Sequence, residues 1–419
     1  MPQISSPAST PAPSSPAAPV SSRIDVLDYV RGLAIIHIIL YHYFLEWFHG
    51  SFLIVPDGVM ANISRLETFH DGGVLGFAKN AFGFLWGYGF FSVNLFLLLS
   101  GFVMTYSALK GEKKAVVPEV PVVATFMDRV KGLMLFYWKK IKRIVIPLYI
   151  SILIGIGFLY LRNVLFPQFA AAPVYGLIDI LKLIFVPFFV YDIPFLQKFN
   201  GDLWFITLIL QLYILFPLLY RGLKKLEMWK FLGVTFVLTV AYRYVATYFL
   251  STTPMGVIYP SHNSYLLFSF FLPRLFEFTL GMALAYAYMR RNDVIEKMVG
   301  FGGFLAGVAL SMLGFGFDMY QWGWPYSDLT VAMGLFLVFL NLGSWFAHLD
   351  WTKRAMTFLS DSSYENFLIH HYYLNYFLAP LLLVLGWQHE GWFWLFMLPF
   401  ALGSILLGWI AQKIGSSIG

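Results

Sequence analysis

Residues 23–44 read RIDVLDYVRGLAIIHIILYHYF. The stretch opens with charge, at Arg23, Asp25, Asp28 and Arg31, and turns apolar at once. Together with its tail to Phe48 it is long enough to cross a bilayer, yet it carries His37 and His42 within the apolar run. Ionisable side chains in a membrane helix are costly, so they face a cavity or a bundle interior and mark function. Arg31 and His42 are eleven residues apart, which places them within about 20° of each other around a helix and about 16 Å apart along it. They share a face without touching, the arrangement that grips two ends of one elongated ligand. His37, five residues before His42, points about 140° away and is expected to pack or hydrogen-bond elsewhere.

The rest of the chain has the same character. Of its 419 residues, 59% are hydrophobic and 12% charged, against about 25% charged in soluble domains. The fold class expected is therefore all-α, a polytopic integral membrane protein. With no Cys, disulfides, thiolate metal ligands and a cysteine nucleophile are excluded. The net charge of +6 reads as membrane orientation rather than as nucleic-acid binding. Residues 1–22 are rich in Ser, Pro and Ala and read as a disordered tail, with the transmembrane domain over 23–412 and a short cytoplasmic tail over 413–419.

A span needs about 20 mostly apolar residues. Ten are expected, at 32–48, 89–109, 144–161, 203–220, 231–250, 265–289, 298–317, 326–347, 361–386 and 392–412. The apolar piece 178–190 is short and broken by Pro187, and reads as re-entrant or interfacial. With the N-terminus inside, 21 of the 28 Lys and Arg fall on the inner side and five on the outer, so both termini are expected in the cytoplasm. The most basic loop, 110–143, ends in Lys139, Lys140, Lys142 and Arg143. Such a cluster anchors topology and attracts anionic lipid; it also suits a phosphate-binding mouth.

No internal repeat, phosphate-binding GxxxxGK[ST] loop, HExxH or paired-carboxylate metal motif is present in the sequence, so neither an ATP motor nor a metal is expected. Four His fall within spans: His37, His42, His370 and His371. His42 stands out because it shares a face with Arg31, and a neutral imidazole near pH 7 is a natural general base. In the span opening PRLFEFTLG, Arg274 and Glu277 lie three apart and can pair, a structural role before a catalytic one. Asn94 and Ser100 are polar groups within FFSVNLFLLLSGF, with Ser100 a poor nucleophile for want of an adjacent base. The span GDLWFITLILQLYILFP sets Asp202 and Trp204 at the outer interface, with Gln211 and Tyr213 deeper.

Taken together, these stretches resemble the membrane acyltransferase 3 family, whose members acylate sugars and other acceptors at bacterial membranes. LDYVRGLAIIHIILYH resembles that family's LDgLRGiA…H opening, with Arg31 and His42 at the same spacing. SVNLFLLLSGF resembles GVDLFFVLSGF, with Asn94 where Asp is usual. LWFITLILQLYILFP resembles LWSLSVEEQFYLLYP at Trp204, Gln211, Tyr213 and Pro217, but has Ile209-Leu210 in place of the acidic pair. RLFEFTLGMALA is similar to the R-x-x-E-F-x-x-G run, and SYENFLIH to SYGIYLWH, placing Ser363, Tyr364 and His370. Lys140 and Arg143 stand where the family has a cytoplasmic R-x-x-R.

The resemblance implies an acyl-CoA cosubstrate, most often acetyl-CoA, and a multi-pass protein of the bacterial cytoplasmic membrane. His42 would be the base. Arg31, Lys140 and Arg143 would hold donor phosphate or carbonyl oxygens, with Asp28 orienting Arg31 or capping the helix. The acceptor implied is a carbohydrate or glycolipid hydroxyl on the outer side. Trp86, Tyr88, Trp322, Trp324, Trp387 and Trp392 would stack on sugar rings or anchor at the interface. A polysaccharide or lipid-linked-sugar exporter without acyl transfer is the competing class, since spans with buried polar groups suit it too.

Overall fold

The computed structural model describes residues 25–47, 54–67, 83, 85–115, 126–169, 181, 184–185, 199–254, 257, 270–291, 293–387 and 390–418. The expected tail 1–22 and nearly all of 178–190 lie outside them. The described residues form helices α1 (Asp25–Trp47), α2 (Val59–Glu67), α3 (Ser92–Ala115), α4 (Phe126–Leu165), α5 (Trp204–Lys225), α6 (Met228–Tyr248), α7 (Leu275–Arg290), α8 (Val294–Met298), α9 (Phe301–Asp318), α10 (Trp324–Phe346), α11 (Asp350–Asp361), α12 (Ser363–Tyr373), α13 (Ala379–Val384) and α14 (Glu390–Ile418). The β pairing among them is limited to two isolated bridges.

Eight helices in the described residues are long and apolar enough to cross a membrane: Leu85–Glu112, Met134–Leu165, Gly201–Lys225, Met228–Tyr248, Phe301–Asp318, Gln321–Phe346, Ser363–Val384 and Trp392–Ile418. They coincide with eight of the ten expected spans. The other two expected spans do form helices. At 23 residues α1 has the length, but Arg31, His37, His42 and Glu46 dilute its apolar content. At 16 residues α7 is too short. Both are largely wrapped by other helices.

Helix α1 is buried on nearly every side. Ile35, Ile38, Ile39, Tyr43 and Phe44 join a core shared with α3, α4, α5, α12 and α14. Leu27, Val30, Ala34 and Tyr41 join a second core shared with α3, α9 and α10. A helix apolar all round is an interior helix, and α1 is the seam between the two cores. The outward faces of α4, α5, α6, α9 and α14 carry Leu153, Leu218, Val237, Met312 and Leu398, all well exposed. Exposed apolar surface on this scale is a lipid-facing belt.

Two helix contacts set the frame. On α3 and α7, Gly101 and Gly281 let the backbones touch, since a Cβ on either would collide with the carbonyl oxygen of Phe278 or of Leu98. Small residues at crossings are how membrane helices gain packing that hydrophobicity cannot supply in lipid. At the start of α1, the amphipathic α11 pins the helix. Ser360 Oγ donates to Asp28 Oδ1 at 2.8 Å and Tyr29 Oη lies 2.9 Å from Thr352 Oγ1. Lys353 pairs with Asp25, and that hydrogen bond holds the ammonium's pKa above its ordinary value.

Candidate active site

Three separate segments meet around His42. The first is α1 itself. The second is the turn Gly201–Leu203, which opens α5 and carries Asp202. Asn200 caps it, its Oδ1 accepting from Asp202 N at 2.9 Å. The third is α12, with His370 and His371. The Asp202 turn is tied to the third segment twice. Asn200 Nδ2 donates to Leu368 O at 2.9 Å, and Tyr376 Oη donates to Phe199 O at 2.8 Å. Tyr376 sits in a π-helical turn, Leu374–Leu378, between α12 and α13; such turns recur at functional sites.

The side chains converge. His370 Nε2 lies 2.9 Å from His42 Nδ1 and 3.3 Å from Asp202 Oδ2. His42 Nε2 lies 3.6 Å from Asp202 Oδ1, and His371 Nε2 3.8 Å from Asp202 Oδ2. Asp202 and His370 are buried, while His42 and His371 retain 12% and 17% of their side-chain surface. Reagents therefore reach the cluster from the side of His42 and His371. The tautomers follow from the partners. His370 Nδ1 faces Asn366 O at 2.9 Å; a carbonyl only accepts, so Nδ1 carries the hydrogen and Nε2 is a lone pair. His42 Nδ1 faces both Ile38 O, at 3.1 Å, and that lone pair. It is thus the donor, and His42 Nε2 is free to take a proton.

Asp202 and His371 were not legible as part of a site. Asp202, expected at the outer interface where it opens an apolar span, is covered by protein, at 4% exposure. Its one sequence signal was an acid at the edge of an apolar span. His370 and His371 are adjacent on α12, so their side chains diverge by about 100°. Both nonetheless reach Asp202, from two sides of the carboxylate. An absence of metal motifs, judged from spacing along the chain, says nothing of ligands gathered from three distant segments.

A second polar layer surrounds Arg31, at the other end of the same face of α1. Tyr213 on α5 lies in hydrogen-bond contact with Ser100 and in electrostatic contact with Arg31 and Arg143. Arg143 also acts on Glu365, and Tyr364 Oη donates to Ile144 O at 3.0 Å. Lys140, half-buried, lies over the Phe136 ring. Gln211, also on α5, buries an amide whose Oε1 and Nε2 have no hydrogen-bond partner among the described residues. Arg31, Arg143 and Lys140 thus lie with the Tyr213 and Ser100 hydroxyls and with Glu365 in one electrostatically linked group.

The other sequence candidates sit apart from these layers. Arg274 and Glu277 pair at 3.7 Å as expected, but inside a larger buried network. Arg243 lies 2.8 Å from Glu277 and 3.3 Å from Asp328, and Arg274 lies 3.0 Å from Asp328. Asn94 Oδ1 accepts from Arg274 Nη1 at 2.8 Å. This network is built from α3, α6, α7 and α10, none of which carries a member of the histidine cluster. His37 turns away from that cluster to Ser92 Oγ (2.8 Å) and Leu85 O (2.6 Å). Asp28 serves α11 through Ser360. Trp204 is buried at the head of α5. Among the aromatic residues read as sugar-stacking, Trp324 is buried with its Nε1 on Asp318 O, and Tyr88 is stacked on Phe315. Trp322 remains exposed.

The family model described as an acyltransferase domain, Acyl_transf_3, matches residues 24–412. No curated protein and no solved structure matches the chain.

Proposed function

The chain belongs to the acyltransferase 3 family and is a multi-pass membrane acyltransferase, and from that premise we propose that it moves an acyl group, most often acetyl, from cytoplasmic acyl-CoA to a carbohydrate hydroxyl on the far side of the bacterial inner membrane. The acceptor class is an exopolysaccharide, an O-antigen or a lipid-linked sugar. The observation that carries this reading is the pairing on one face of α1. His42, with a free Nε2, stands at one end, and Arg31 stands within the electrostatically linked group at the other. An acyl-CoA laid along that face has its phosphates near Arg31, Arg143 and Lys140 and its thioester near His42.

The chemistry follows. His42 Nε2 takes the proton of the acceptor hydroxyl as its oxygen bonds to the thioester carbonyl carbon. The carbonyl oxygen becomes an oxyanion, which the polar lining steadies. The C–S bond breaks, the ester forms, and the CoA thiolate leaves with the proton from His42. Ser100 is not needed as a nucleophile, since its neighbour is the Tyr213 hydroxyl and no base.

The test is transfer of isotope-labelled acetyl from acetyl-CoA to candidate glycans by the purified protein. His42→Ala is expected to cost about 10²- to 10⁴-fold in turnover, the usual worth of a general base. If His42→Ala and Arg31→Ala fold normally and keep wild-type turnover, the assignment is wrong.

A further inference from the structure

The histidine cluster holds more acceptor atoms than a lone base needs. His370 Nε2 is a lone pair, because its other nitrogen donates to Asn366 O. Among the described residues Asp202 Oδ2 makes no hydrogen bond, and neither does His371 Nε2, although both atoms are buried. These atoms lie 3.3 and 3.8 Å apart about the one carboxylate oxygen. One ligand atom from each of His42, Asp202, His370 and His371 lies within 4.8 Å of all the others. The His370 lone pair has His42 Nδ1–H as its donor, whereas the buried Asp202 Oδ2 and His371 Nε2 are left with a contact that a cation would satisfy. Ligand atoms about 2.0–2.1 Å from a tetrahedral metal lie roughly 3.3 Å from each other, close to the spacing found.

We propose that Asp202, His370 and His371 bind a divalent transition-metal ion of the zinc class, with His42 facing it as a base. Imidazole and carboxylate without thiolate suit zinc and its neighbours. Two His and one carboxylate leave one position of four open, the pattern of catalytic rather than structural sites. His42 is spared from ligation by its own helix. When a metal occupies the lone pair of His370, the His42 Nδ1–H keeps its second acceptor, Ile38 O at 3.1 Å. Its Nε2, 3.6 Å from Asp202 Oδ1, stays available as a base beside the carboxylate. The partners that orient the ligands are also in place, Asn366 O on His370 and the Asn200 cap on the Asp202 turn, as metal sites require.

The inference rests on the acyl-transfer reading for its role and deepens it. An acceptor hydroxyl at the open position loses its proton to His42 Nε2 more readily, because a Lewis acid polarises the O–H bond. The oxygen then bonds to the thioester carbon, and the thiolate leaves with the proton from His42. No electron changes hands.

The experiment measures metal on the full-length protein in detergent, stripped with chelator and reloaded with Zn²⁺ or Co²⁺. Wild type is expected to hold on the order of one equivalent by mass spectrometry, and the Co²⁺ form to show the visible absorption of a tetrahedral site. His371→Ala and Asp202→Asn are expected to lose at least tenfold in metal affinity, with ligand-bound stabilisation lost in parallel. His42→Ala is expected to keep the metal and lose turnover. If Asp202→Asn fails to fold, His371→Gln carries the same test. Metal-free protein that still transfers acetyl at the wild-type rate overturns the metal site and leaves the acyl-transfer reading standing. Metal bound equally by His371→Ala and His371→Gln is adventitious and also overturns it. Metal bound at the cluster with no acyl transfer to any acceptor removes the proposed function and keeps the site.

Discussion

His37 and His42, five residues apart on α1, point into opposite cores. His37 is locked by Ser92 Oγ at 2.8 Å and Leu85 O at 2.6 Å, whereas His42 meets His370 at 2.9 Å. The two substitutions should therefore separate stability from chemistry. His37→Ala strips partners from a buried hydroxyl and a carbonyl, at about 1–3 kcal/mol for each unsatisfied group. The expected outcome is a lower Tm with turnover per folded molecule largely kept. For His42→Ala the expected outcome is the reverse. Thermal unfolding in detergent, read beside the labelled-acetyl assay, checks both.

Arg243, Arg274, Glu277 and Asp328 form a buried ionic network whose side chains are at most 1% exposed. Removing one partner leaves a charge uncompensated, at about 3–5 kcal/mol. Asp328→Ala should thus unfold the protein at markedly lower temperature, while Asp328→Ala combined with Arg243→Met should recover part of the loss. A double variant no more stable than Asp328→Ala would show that the arginine was not held by that carboxylate.

At the α3–α7 crossing, Gly101→Ala and Gly281→Ala each drive a methyl into a carbonyl oxygen on the other helix. Overpacking of this kind costs about 1–3 kcal/mol or more, and both variants should lower yield of folded protein in size-exclusion chromatography. Gly157→Ala is the control, since a Cβ there meets nothing within 4 Å. It should be neutral or stabilising by up to about 1 kcal/mol, the helix-propensity difference.

Arg31 should govern donor binding. Loss of a charge-assisted hydrogen bond worth about 1.5–3 kcal/mol weakens acyl-CoA by roughly 10- to 150-fold. A CoA-induced rise in Tm seen with wild type should vanish in Arg31→Ala at equal ligand concentration and shrink in Tyr213→Phe. An unchanged shift in Arg31→Ala would place the donor elsewhere.

How far the sequence reached can be seen residue by residue. The all-helical membrane class followed from composition, and His42 from its angular relation to Arg31, because helical phase is a local property. His370 was reachable only through resemblance to a family, since nothing local joins residue 370 to residue 42. Asp202 gave no sign of its partners because burial is decided by what folds over a span's end, here α12. Arg243 and Asp328 belong to helices with no sequence signal linking them, so the Arg274–Glu277 pair looked self-contained. That α1 and α7 are covered by protein rather than lipid was not legible, because hydropathy along the chain does not say which neighbours a helix will meet.

The histidine cluster is drawn from residues 42, 202, 370 and 371, and this has a consequence for biogenesis. Chains are made from the N-terminus, so α1 enters the bilayer while His370, 328 positions later, has not been synthesised. Until α12 docks, His42 and Asp202 lack half of their partners, and the nascent protein carries polar groups in lipid that only its last third can satisfy. The centre is therefore assembled late and all at once. A chain stalled before residue 370 would be inserted but chemically silent, and its unsatisfied α1 would mark it for quality control.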